Sequence, residues 1–108
     1  MTAAPTRKRL PNSRGSEIFS FESMGTRFRA CVGYYDDGRI GELFVDSYKS
    51  GSSVSSLVRD IGIVFSFAVQ HGADPRAMAK ALSRDSNGHP LGPLAVALDQ
   101  LAQQGAAK

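Results

Sequence analysis

The chain has 108 residues, 42% hydrophobic and 21% charged, with a formal net charge of +3. That length supports one domain with one modest core, and the composition is ordinary for a globular protein. The single cysteine, Cys31, excludes an internal disulfide and a cysteine-rich zinc site, and the two histidines, His71 and His89, are far apart in sequence, so no metal or other cofactor is expected.

The charge is unevenly placed. Arg7, Lys8, Arg9 and Arg14 stand in the first fourteen residues with no acid among them, and the remaining nine basic and ten acidic residues nearly cancel. The sequence pI of about 9.4 is therefore a property of the N-terminal stretch. After Met1 that stretch offers Leu10 as its one large aliphatic residue up to Arg14, so no signal-peptide core is expected. No apolar run approaches the roughly 20 residues of a membrane span. The expectation is a cytoplasmic protein without a membrane partner.

In chain order, residues 1–15 are polar, basic and interrupted by Pro5 and Pro11. They read as a flexible basic arm whose end packs on the domain. Phe19 and Phe21 alternate with Ser20 and Glu22, which is strand periodicity. Met24-Gly25-Thr26 turns the chain. From Arg27 to Tyr35 the alternation puts Phe28, Ala30, Val32 and Tyr34 on a core face. Arg27, Arg29, Cys31, Gly33 and Tyr35 take the wet face. Asp37-Gly38 signals a tight two-residue hairpin turn, and a third strand follows over Ile40 to Asp46. Glu42, in phase with Ile40 and Phe44, is predicted to need a partner if it points inward, an arginine of the second strand.

The period then changes to helical. Apolar residues at 54, 57, 58, 61, 64, 65 and 68, widened by Ile63, Phe67 and Val69, predict a helix to Gln70 buried on more than one side. Gly72 ends it. Asp74-Pro75 starts a short helix to about Ser83, and Gly92-Pro93 opens a third that Gly105 ends. The fold class is α+β: a three-stranded antiparallel meander followed by three helices packed on one face. The domain is expected over residues 16–104, with 105–108 a tail.

The catalytic motifs tested are missing. There is no G-x-S-x-G, H-E-x-x-H or G-x-G-x-x-G, and an enzyme built on this chain alone lacks an evident acid–base apparatus. Cys31 reads as a structural thiol, with Arg27 and Arg29 as the features that would favour a reactive one. Asp36 and Asp37 read as turn residues. The loop Lys49-Ser50-Gly51-Ser52-Ser53 opens a helix and reads as a cap. Its second reading is a weak anion or nucleotide site of Lys49, Gly51, Ser52 and Ser53, without P-loop spacing.

Four stretches together carry a resemblance: Lys8-Arg9-Leu10-Pro11, the run from Val32 to Phe44, Lys49-Ser50-Gly51-Ser52, and Val69-Gln70-His71-Gly72. The set resembles the TSCPD domain found near the C-terminus of adenosylcobalamin-dependent ribonucleotide reductases, which also occurs as small stand-alone proteins. It covers roughly residues 7 to 100. The string Thr-Ser-Cys-Pro-Asp and a cysteine pair are absent. The resemblance places no radical chemistry, cobalamin site or redox cysteines on this chain. It implies a detached, non-catalytic accessory domain of nucleotide metabolism. The expected partner is a protein, a ribonucleotide reductase or a regulator, bound through Arg27, Arg29 and Tyr35 with the Lys49 loop beside them. The second class is nucleic-acid binding through Arg7, Lys8, Arg9 and Arg14.

Overall fold

The computed structural model describes residues 6–49 and 53–104. Three strands, β1 (Ser16–Ser23), β2 (Thr26–Tyr34) and β3 (Ile40–Ser47), form one antiparallel sheet in the order β1-β2-β3. Three helices follow: α1 (Ser53–Gln70), α2 (Pro75–Ala81) and α3 (Pro93–Gln103). This is the α+β arrangement that the periodicities predict.

The two hairpins turn differently. Ser23 pairs with Thr26, so Met24 and Gly25 form a two-residue turn, both with positive φ, whose twist matches that of the strands. At the second hairpin the expected two-residue turn is replaced by a loop of three. The Tyr35 N–H donates to the Arg39 carbonyl at 2.9 Å, and the Gly38 N–H donates to the Tyr35 carbonyl at 2.9 Å. Gly38, at φ +88°, supplies the left-handed residue that such a loop requires.

Beyond this turn the register slips. Tyr34 pairs with Ile40, but Gly33 pairs with Glu42, so Gly41 is an extra residue in β3. The bulge reverses the alternation. Ile40, Leu43 and Val45 are buried, whereas Glu42 and Phe44 face the other side of the sheet. The phase shared by Ile40, Glu42 and Phe44 in the sequence is therefore broken. A side chain at Gly41 would place its Cβ 2.6 Å from Leu10 Cδ2 and 2.9 Å from the Tyr35 ring, so glycine here admits the N-terminal segment.

The core gathers Phe21, Phe28, Ala30, Val32, Leu43 and Val45 from the sheet, Val58, Phe65 and Val69 from α1, and Ala97, Leu98 and Leu101 from α3. Asp74 caps α2 by accepting from the Arg76 N–H at 3.0 Å. Arg84, just past α2, grips Asp99 of α3 with two bonds of 2.8 and 2.9 Å.

Helix α1 runs antiparallel to β3 along its outer edge. Ser66 Oγ accepts from the Leu43 N–H at 2.9 Å and lies 3.1 Å from the Leu43 carbonyl. Gln70 Nε2 donates to the Gly41 carbonyl at 2.8 Å. Side chains of the helix thus occupy backbone groups that an edge strand would leave open. Gly62 sets the approach: a Cβ there would sit 2.8 Å from the Leu43 carbonyl oxygen and 3.2 Å from the Val45 nitrogen. At the end of α1, Gly72 adopts φ +102° and the Ala73 N–H reaches back to the Ala68 carbonyl at 3.0 Å.

The expected burial of α1 on more than one side is corrected. Its buried line is Ser55, Val58, Gly62, Phe65, Ser66 and Val69, with Gln70 at the end. Leu57 and Val64 are 61% and 68% exposed, and Ile61, Ile63 and Phe67 are exposed with them. By length and composition alone α1 would also suit a membrane span, contrary to the expectation from the sequence. It carries Arg59 and Asp60, and its bonds to the sheet edge make it an integral helix of the α+β fold.

Two substitutions test this contact. Gly62→Ala adds helix propensity, worth about 1 kcal/mol, but forces α1 off β3 against overpacking of about 1–3 kcal/mol. A net loss is expected. Ser66→Ala leaves the Leu43 N–H unpaired, at about 1–3 kcal/mol. Both should lower the denaturant midpoint at unchanged slope, and a midpoint at or above the wild-type value for either would reject the close edge contact.

Candidate functional site

One face of the sheet is covered by α3 and by the buried line of α1, which runs along the β3 edge, while α2 packs on α3. The opposite face is built from cross-strand rows set by the register. Ile18, Cys31 and Phe44 form one row, Ser20, Arg29 and Asp46 the next, and Glu22 pairs with Arg27 beyond it. Ile18 is 67% exposed and Phe44 45%. Because α1 rides the β3 edge rather than the sheet face, its Arg59 and Ile63 reach over that edge to this side. With Arg29, Cys31, Phe44, Val45 and Asp46 they line a groove of about 290 Å³. An apolar row on an exposed face, rimmed by charge, is the usual form of a protein-docking surface.

The polar rim is organised around Tyr48 and Asp46. The guanidinium carbons of Arg27 and Arg29 lie 5.5 and 5.9 Å from the Tyr48 ring centroid, within reach of a cation–π attraction. The Tyr48 hydroxyl is 2.8 Å from Ser20 Oγ. That hydrogen bond, and the Arg27 guanidinium after it, hold the phenol below its ordinary pKa. Asp46 Oδ1 accepts from Ser55 Oγ at 2.8 Å and from the Ser47 N–H at 2.9 Å, with Arg59 Nε at 4.0 Å. The Ser55 hydroxyl is the main reason the Asp46 carboxyl lies below the usual carboxylate range.

The structure brings Arg27 and Arg29 together on this face but separates Tyr35 from them. Tyr35 follows the end of β2 and is only 7% exposed. Its hydroxyl donates to the Lys8 carbonyl, and its ring lies between Lys8 and Arg39, each 5.1 Å from the centroid. Tyr35 stands past the end of β2, at the start of the turn, where the strand's alternation no longer applies. Cys31 is half-buried at the centre of the apolar row.

Contacts of the N-terminal segment with the domain begin at Arg7 among the described residues. Arg7 Nε donates to Gln70 Oε1, and its guanidinium lies 4.4 Å over the Phe67 ring. The Lys8 N–H donates to the Gln70 carbonyl at 2.8 Å. Arg14 Nε pairs with Glu42 at 2.6 Å, so the partner of Glu42 comes from this segment and not from β2. Arg9 is exposed. Of the loop singled out for anions, Lys49 follows β3 and Ser53 begins α1, while Gly51 and Ser52 lie outside the described residues. Among the described residues no group of three metal-ligating side chains comes together.

Ile18, Phe44, Tyr48, Asp46, Arg59 and Ile63 escape the sequence reading. The consecutive apolar residues Leu43-Phe44-Val45 were the available signal, since a strand cannot bury all three on one face.

Comparison with known proteins adds the decisive observation. A vitamin B12-dependent ribonucleotide reductase of Rhodopirellula baltica is 40% identical over 68 residues, which are 63% of this chain and 6% of that protein. The chain is similar to a short segment of the vitamin B12-dependent ribonucleotide reductases. Two more of them, from Bradyrhizobium diazoefficiens and Agrobacterium fabrum, are each 32% identical over 66 residues, 61% of this chain and 5% of theirs. The chain thus spans only about a twentieth of the length of these reductases. No protein-family model and no solved structure matches it. The relationship agrees with the TSCPD resemblance of the sequence.

The Asp46 contact has a pH signature. A carboxyl whose native pKa is depressed stabilises the fold above its unfolded value, near 4, and loses that contribution as pH falls through the lower native value. Ser55→Ala should therefore lower stability at neutral pH, and the gap to wild type should close as pH falls below about 4. A gap that stays constant down to acid unfolding would show that Ser55 does not act through Asp46.

Proposed function

We propose that this chain is a non-catalytic accessory domain, cytoplasmic and derived from the ribonucleotide reductase segment, that acts by binding a protein through the open face of its sheet. The observation that carries this reading is the row Ile18, Cys31 and Phe44, continued by Ile63 of α1, left open to solvent beside Arg27 and Arg29. Apolar side chains of this size are normally covered, and several in one continuous strip mark a docking surface. The relatives supply the partner class, since their segment is part of a larger reductase chain. The partner proposed here is a ribonucleotide reductase or another protein of nucleotide metabolism.

The basic N-terminal residues have a structural task that competes with nucleic-acid binding. Arg7 is committed to Gln70 and Phe67, Lys8 to Tyr35, and Arg14 to Glu42. Protein docking on the sheet face needs no such rearrangement.

Affinity capture from a nuclease-treated native lysate tests this reading. The wild-type domain should retain a ribonucleotide reductase chain. Phe44→Glu, at a site 45% exposed, should abolish retention without shifting Tm, and the pair Arg27→Ala and Arg29→Ala should weaken it. Retention unaffected by all three substitutions would remove the sheet face from the function.

A further inference from the structure

On the reading that the open sheet face is the docking surface, we propose that its occupant is an acidic segment of the partner, anchored by one apolar side chain between Phe44 and Ile63. The groove there, about 290 Å³, is at the lower limit of the roughly 300–1,000 Å³ that hold drug-sized ligands. It suits a single side chain better than a cofactor. Its apolar lining is Cys31, Phe44, Val45 and Ile63, and Arg29, Asp46 and Arg59 line it as well.

The charge around this anchor point favours an anion. Among the described residues Arg29 makes no ion pair within 4 Å, although it stands opposite Asp46 across the strands and near the Tyr48 ring, and Arg59 reaches a carboxylate only at 4.0 Å, at Asp46. Asp46 is the one acid of the groove, and its Oδ1 is already engaged by Ser55 and the Ser47 N–H. Arg27 adds a third cation on the same face, opposite Glu22.

Two arginines lining an apolar groove match a leucine- or phenylalanine-type anchor with Asp or Glu beside it, because guanidinium and carboxylate pair in a planar, bidentate fit. A basic segment would meet like charge. A second copy docking face to face by a two-fold axis would bring the same arginines towards one another.

The test is a titration of the isotope-labelled domain followed by its amide resonances. The probes are a hexapeptide with a central Leu-Phe pair flanked by Asp and Glu, the same peptide flanked by Lys, and a short single-stranded DNA. The acidic peptide should move the Cys31, Phe44 and Ile63 signals, and its affinity should fall about tenfold in Arg29→Glu or Arg59→Glu and fall with added salt, whereas the basic peptide should leave these signals in place. Four results would each overturn the proposal: equal response to both peptides, DNA moving the same signals more strongly, self-association abolished by Phe44→Glu, or no shift at millimolar acidic peptide. If capture of the reductase still depends on Phe44 while the acidic peptide leaves the face untouched, protein docking stands and the acidic occupant falls. Capture indifferent to the face overturns both.

Discussion

The contact between α1 and the edge of β3 is the constraint on which the rest of the molecule depends. A three-stranded sheet has two edges and few strands over which to share its backbone bonding. Here one edge is closed by a helix at unusually short range. Gly62 lets the helix backbone approach the strand backbone, and Ser66 then supplies a hydroxyl to the Leu43 N–H. Gln70 completes the line at Gly41. Because the helix sits on the edge, it contributes Val58, Phe65 and Val69 to the core on one side and presents Arg59 and Ile63 on the other.

That geometry explains what the sequence conveyed and what it concealed. The element order, the antiparallel meander and the limits of α1 follow from the change of period after β3, because alternation and helical spacing are strong signals over such lengths. The burial of α1 departs from its apolar pattern. Its apolar residues outline a wide face, yet the line that meets the protein carries Ser55, Gly62 and Ser66. Small and hydroxyl-bearing residues face a backbone edge for the same reason that they fit closely packed interfaces. Hydrophobic periodicity cannot report this, since it assumes that the apolar side is the inner one.

The candidate site was legible in part for a related reason. Arg27 and Arg29 were placed correctly by the alternation of β2. Tyr35 was not, because it lies beyond the last paired residue of β2, where the three-residue turn begins. Phe44 was hidden by the bulge at Gly41, which shifted it from the face of Ile40 to the opposite one. A single inserted residue in a strand exchanges its faces, and the lone glycine at position 41 was the sequence's mark of it. The relatives are long enzymes of which this chain matches a small fraction, so its chemistry has to be sought on its own surface. That surface contains an open apolar strip with a cationic border.

The docking of the N-terminal segment has a kinetic consequence. Its contacts join residues far apart in the chain: Arg7 and Lys8 meet Gln70, and Leu10 meets Gly41. Gln70 also ties the last turn of α1 to the start of β3. The segment therefore has no complete binding surface until the strand and the last turn of the helix have come together. It should join the structure last and leave it first, because its long loop closure must be offset by contacts that exist only in the assembled domain. The order of the first residues then becomes a reporter of whether the far end of α1 is seated, and a disturbance at either place is felt at the other.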